Sequence, residues 1–157
     1  MGNRESNGMR VLVWNVWGLR GKEREVGKCV EGCDVVGLVE TWTEADDWEA
    51  VKRKLPGGFE WRVEVAVRQS VRGRASGGIV TGVRVGCQEL AGGGNSNIQA
   101  RRPMTRKGVL NVIIIYNNVG MTKIVADLEA GEWDRGDEMV LLAGDFNARV
   151  AGGGGGK

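Results

Sequence analysis

The chain has 157 residues, 41% of them hydrophobic and 27% charged, enough to bury one sizeable core, and its net charge of +2 selects no class of partner. It contains no histidine, which excludes Ser-His-Asp and Cys-His catalysis and every histidine-based metal site. Hydrolytic chemistry would therefore rest on carboxylates, amides, the one tyrosine and a metal ion.

In chain order, residues 9–14 (Met-Arg-Val-Leu-Val-Trp) are rich in strand formers and predict a first strand. Residues 21–30 place Val26, Cys29 and Val30 at helical spacing, and residues 33–39 predict a second strand that arrives at Glu40. Residues 46–55 predict a helix, acidic at its start and closing on Lys52, Arg53 and Lys54 as the helix dipole favours. Residues 61–67 alternate apolar and charged side chains, as a strand with one wet face does. Residues 78–85 and 97–101 predict further strands, with turns at Gly73 and at Gly92-Gly93-Gly94. Residues 109–116 (Val-Leu-Asn-Val-Ile-Ile-Ile-Tyr) belong in a sheet centre, residues 122–130 predict a helix, and residues 139–143 a last buried strand. Helices between the early strands and hairpin-like strands between them imply an α/β sandwich of one domain, residues 9–150. Residues 1–8 are expected to form a flexible start and residues 151–157 a glycine-rich tail.

No run approaches the roughly 20 apolar residues that span a bilayer. The start also lacks a secretory pattern, so no membrane partner and an intracellular, non-secreted chain are expected. Cys29, Cys33 and Cys87 are expected as reduced packing residues, since nothing completes a zinc site around them. Basic residues bunch around Arg68, Arg72 and Arg74, and again around Arg101, Arg102, Arg106 and Lys107. Arg72, Arg74, Arg101 and Arg102 are the candidates for contact with nucleic-acid phosphates, although solvated loops give the same pattern.

Polar groups stand at the ends of three expected strands: Asn15, Glu40, and Asp145 with Asn147. Strand ends are where an α/β sheet gathers side chains around a ligand. Two carboxylates and two amides there suit a hard cation such as magnesium. Singly, each has a structural reading: Glu40-Thr41 can cap the helix that follows, Asn15 with Gly18 can make a turn, and Gly144-Asp145-Phe146-Asn147-Ala148 can be an Asx-turn. Only the set, in order, points to a site.

That set resembles the endonuclease/exonuclease/phosphatase superfamily. Trp14-Asn15-Val16-Trp17-Gly18-Leu19 is similar to its first motif, and Asp34-Val35-Val36-Gly37-Leu38-Val39-Glu40-Thr41-Trp42 to its second. Ser76-Gly77-Gly78-Ile79 resembles the glycine pair opening a central strand, and Val112-Ile113-Ile114-Ile115-Tyr116 the strand ending in the active-site tyrosine. Leu141-Leu142-Ala143-Gly144-Asp145-Phe146-Asn147-Ala148 matches the aspartate–asparagine motif. The wording around Glu40 and Asp145 is most similar to the endonuclease domains of non-LTR retrotransposons, which nick DNA.

The resemblance implies a two-sheet α/β sandwich, magnesium (or manganese) as cofactor and DNA as partner, with a nuclear setting in a functional retrotransposon. It implies Glu40 as the main metal ligand, assisted by Asn15. Asp145 would orient or activate the attacking water, Asn147 would contact the scissile phosphate, and Tyr116 would hydrogen-bond it. Trp42 is read as a core or rim residue rather than a base-stacking one. The sequence departs from the pattern twice. Asn117-Asn118 follows Tyr116 in place of a proline-containing loop, and no Ser-Asp-His segment is present. The chain is therefore expected to lack C-terminal strands and to be weakly active or inactive, since a general acid–base group contributes about 10²–10⁴-fold. The other functions considered are a phosphatase of the same superfamily acting on small phosphoesters, and a non-catalytic remnant that binds nucleic acid. Oligomeric state leaves no sign in the sequence.

Overall fold

The strand and helix formers resolve, in a computed structural model describing residues 8–131, 133 and 136–147, into two facing sheets with helices on both outer faces. In the first sheet β1 (Val11–Asn15) pairs in parallel with β2 (Val35–Val39), and α1 (Glu23–Cys29) makes the crossover between them. β4 (Ile79–Arg84) pairs antiparallel with β2 and with β3 (Phe59–Glu64), giving the order β1-β2-β4-β3. A 3-10 turn at Ala45–Asp47 leads into α2 (Trp48–Lys54), which carries Lys52, Arg53 and Lys54 in its last turn.

The second sheet runs β5 (Glu89–Leu90), β7 (Ile98–Thr105), β8 (Gly108–Tyr116), β9 (Met139–Asp145), with β6 (Gly94–Asn95) also on β7. β8 and β9 are parallel, joined through α3 (Met121–Ala130). β9 ends this sheet and leaves Val140 and Leu142 exposed on its outer face.

The period-two alternation of a strand explains the layering. Val36 and Leu38 of β2 pack with Val26 and Val30 near α1 and with Val51 and Leu55 near α2. Val35 and Val39 point the other way and meet Val112, Ile114 and Tyr116 of β8. On the far side of β8, Ile113 and Ile115 pack with Ile98 and with Ile124 of α3. β2 and β8 are thus covered on both faces, which is why they read as unbroken apolar runs. Each fully buried Val or Leu contributes about 1.5–3 kcal/mol.

The α/β two-sheet architecture agrees with the sequence reading, and several details differ from it. β7 continues past residue 101 to Thr105, and two short strands not expected from the sequence arise, β5 ahead of the Gly92-Gly93-Gly94 turn and β6 at its end. Of the three cysteines, all free thiols, Cys33 and Cys87 pack against the cores, whereas Cys29 is exposed and is no packing residue. No helix among the described residues is long and apolar enough to cross a membrane. Residues 1–7, the end of the aspartate–asparagine segment and the glycine-rich tail lie outside the described residues.

Candidate active site

Two parallel strand pairs, one in each sheet, build the site. In the first, Asn15 is in register with Val39, so Asn15 and Glu40 leave the sheet side by side. In the second, Tyr116 is in register with Asp145. The sheets stack so that both ends meet. The amide nitrogen Nδ2 of Asn15 donates to Glu40 Oε2 at 3.0 Å and to Asp145 Oδ2 at 2.7 Å. Its Oδ1 accepts from the Trp17 N–H at 3.1 Å. Asp145 Oδ1 in turn accepts from the Asn147 N–H at 3.0 Å. A cleft of about 500 Å³ opens here, lined by Asn15, Gly144, Asp145, Phe146 and Asn147 among others.

The backbone around this cluster is held in a conformation that side chains disfavour. Trp17 (φ 43°), Glu40 (φ 56°), Trp42 (φ 57°) and Asn147 (φ 45°) are the non-glycine residues with positive φ among those described, and all four belong to these segments. Such residues cost on the order of 1–3 kcal/mol each and persist where surrounding bonds fix them. Here Gly18 N–H donates to Glu40 O at 2.8 Å, Leu19 N–H to Thr41 O at 2.9 Å, and Trp42 N–H to Gly77 O at 2.9 Å. Glycine is required at two of the contacts. A Cβ on Gly18 would lie 2.4 Å from the Trp42 ring, and one on Gly78 (φ +90°) would lie 2.5 Å from Thr41 Oγ1.

Tyr116 is buried, in the negative field of Glu40 and Asp145. Burial first, then the negative charges of Glu40 and Asp145, push its phenol above the usual value, with Arg74 opposing them in part. The phenol therefore stays protonated at neutral pH and can donate.

The resemblance was silent about what positions these groups. Buried Asn117 donates through Nδ2 to Phe146 O at 2.7 Å and accepts through Oδ1 from Gly120 N–H at 2.8 Å, while its own N–H reaches Asp145 O at 2.8 Å. The Asn147 side chain donates to Asn117 O. Asn97 Nδ2 donates to Tyr116 O at 2.8 Å and to Asn118 Oδ1 at 2.6 Å. The asparagine pair that replaces the usual proline loop thus ties the tyrosine strand to the aspartate segment. The unusual pair itself was the available signal.

The structure separates the four arginines proposed as phosphate contacts. Arg101 is fully buried between the sheets, bonded to both oxygens of Glu89, to Thr81 and to Glu60 O. Arg102 is buried on the opposite side of β7 against Glu138 and Ala91 O. Neither presents charge to a ligand, so both are corrected to structural residues: β7 runs on through them and turns one into each core. Arg72 and Arg74 remain exposed, and the Arg74 guanidinium lies 3.7 Å from the Trp42 ring centroid.

Carboxylates from two strands converge on one point, and that point is held by an N–H donor. This donor set fits a hard divalent ion, which takes oxygen ligands. Nδ2 itself cannot ligate a cation, so a role for Asn15 as ligand requires its amide to present Oδ1. No group of three or more acidic, cysteine or histidine side chains suited to a metal lies among the described residues. Magnesium commonly completes such sparse sites with water and substrate phosphate.

No protein-family model and no curated protein matches this sequence. Solved structures do. The catalytic domain of Xenopus laevis APE2 superposes with a TM-score of 0.62 at 14% identity, covering 89% of this chain and 59% of that one. The endonuclease domain of TRAS1, a telomere-specific non-LTR retrotransposon, gives 0.60 at 16% identity, covering 90% and 61%. The chain has the endonuclease/exonuclease/phosphatase fold. The Neisseria 3′ phosphatase NExo, bound to a product DNA hairpin, shares that fold with a TM-score of 0.56 at 18% identity, over 89% of this chain and 58% of its own. Relatives with this fold thus include nucleases and phosphatases, and the chain spans about six-tenths of the length of the three structures named.

Proposed function

We propose that the chain is a divalent-metal-dependent phosphodiesterase that nicks DNA. The observation that carries this reading is the single Asn15 amide donating to both Glu40 and Asp145, with the buried Tyr116 phenol in the field of the same two carboxylates. Such a cluster puts oxygen ligands, a proton acceptor and a neutral hydrogen-bond donor within one small site. Hydrolysis forms a bond from water to phosphorus and breaks the bond from phosphorus to the sugar oxygen. Asp145 is the group that takes the water's proton. Tyr116, kept protonated, donates to a phosphoryl oxygen as charge grows there. Asn147 has a second amide hydrogen beyond the one given to Asn117, available to the scissile phosphate. Magnesium or manganese, held by Glu40 and Asn15, would supply charge neutralisation on the phosphoryl and leaving oxygens.

DNA is favoured over small phosphoesters by the open cleft, by the exposed Arg72 and Arg74, and by the Glu40-Thr41-Trp42 wording. Likeness in fold to a retrotransposon endonuclease domain and to a phosphatase bound to a DNA hairpin points the same way. On this reading the chain acts inside the cell, and in the nucleus when it belongs to a retrotransposon. The test is incubation with supercoiled plasmid and, in parallel, with small phosphate monoesters, both in magnesium. Slow conversion to open-circular plasmid without phosphate release is the expected result, since no Ser-Asp-His segment is present. Phosphate release without nicking would assign a phosphatase instead.

A further inference from the structure

Trp17 is 64% exposed, and every other tryptophan, tyrosine or phenylalanine among the described residues is buried or half-buried. An exposed apolar side chain alone is ordinary. This one is unusual in being fixed beside the carboxylate cluster. Its N–H donates to Oδ1 of Asn15, the same amide that joins Glu40 and Asp145. Lys22 Nζ clamps the loop by donating to Val16 O at 2.5 Å and to Trp17 O at 3.2 Å. The Trp17 ring stands edge-on to Trp42, with centroids 6.3 Å apart and planes at 83°. Trp42 is itself pressed against Gly18 and stacked by Arg74. An immobilised indole with a free face loses little entropy when a planar ring lies on it.

We propose that Trp17 is a stacking platform for an unpaired nucleobase next to the scissile phosphate, with the Trp42–Arg74 pair as its rigid support. The inference rests on the DNA-nicking reading and adds the substrate class: strands whose bases are free to leave the stack. Base–aromatic stacking tolerates any base, so the platform gives affinity without sequence preference. The exposed Arg74 adds positive charge at the same place.

The test is fluorescence anisotropy of a labelled single-stranded oligothymidine and of an abasic strand of the same length. Wild type is expected to bind the oligothymidine about tenfold more tightly, the size of one base–aromatic stack. Trp17→Ala should erase that preference by weakening only the oligothymidine, and Trp17→Phe should keep most of it. Trp17→Gly, which suits the positive φ, serves as a second ring-deleted variant should the alanine variant fail to fold. Equal binding of the two strands by wild type, or a preference that survives ring deletion, overturns the platform alone. Failure of wild type to bind either strand overturns the platform together with DNA as substrate.

Discussion

Arg101→Met asks whether the buried arginine holds the two sheets together. The wild-type side chain is 0% exposed and its Glu89 partner 11% exposed. Arg101 donates to Thr81 O and Oγ1 at 3.1 and 3.0 Å, to Glu60 O at 3.0 Å and to Glu89 Oε2 at 2.9 Å, with a second bond from Nε to Glu89. Methionine keeps the apolar stem and removes every donor. Glu89 is then left with the Arg102 backbone and with Arg62, 3.7 Å away and half exposed. Breaking a buried pair from one side costs about 3–5 kcal/mol, and for a chain of this size that lowers Tm by roughly 10 °C.

The deficit should depend on pH. Burial raises the Glu89 pKa, but the hydrogen bonds and charge of Arg101, aided by Arg62, more than offset it and hold the carboxyl below its usual range. Its contribution is therefore present above the unfolded carboxylate pKa of about 4.3 and lost as pH falls through the lower folded value. Without Arg101 only Arg62 and the Arg102 backbone still oppose burial, so Glu89 takes up a proton at higher pH and the gap between variant and wild type narrows on acidification. Urea unfolding followed by tryptophan fluorescence at several pH values measures this. The double variant Arg101→Met/Glu89→Leu should be more stable than Arg101→Met alone. A loss within the about 0.5 kcal/mol of an ordinary surface substitution would refute the structural role given to Arg101.

The chain's single tyrosine makes the site's electrostatics directly readable. Ultraviolet titration should place Tyr116 above the usual phenol pKa of about 10, and Glu40→Gln should bring it down. A value at or below the usual one contradicts the burial and charge described. Asp145→Asn should remove plasmid nicking while leaving the fold intact by circular dichroism, and undiminished nicking would show that Asp145 does not take the water's proton. Asn117→Ala strips the bonds to Phe146 O and Gly120 N–H, at a cost of about 1–3 kcal/mol. It should also slow nicking at temperatures where the variant is fully folded; a variant that loses neither stability nor rate would mean that Asn117 does not position the aspartate segment.

The site was more legible than its support. Asn15, Glu40, Tyr116 and Asp145 each end an apolar run, and a strand end is visible wherever such a run meets a polar residue. That they meet depends on two parallel pairings in separate sheets, which the resemblance supplied and periodicity alone did not. β7 is legible as a strand over 97–101, but its continuation to Thr105 is not. Gln99 and Arg101 face the gap between the sheets, where Thr81, Glu64 and Glu89 satisfy them, so the strand looks polar while being buried. Nothing along β7 itself announces partners that lie on three other segments. The two-residue strands β5 and β6 owe their pairing to β7, and their glycine-rich surroundings give no strand signal of their own. Asn117 illustrates the opposite case, visible in the sequence as a departure whose meaning emerged only from its hydrogen bonds.

The melting temperature with and without magnesium tests the metal-dependent site most directly, because it reads ion binding without relying on turnover. Magnesium is predicted to raise the melting temperature of the wild-type chain and to leave that of Glu40→Ala unchanged. An equal magnesium response in the two proteins would contradict the assignment of the ion to the Glu40–Asn15–Asp145 cluster.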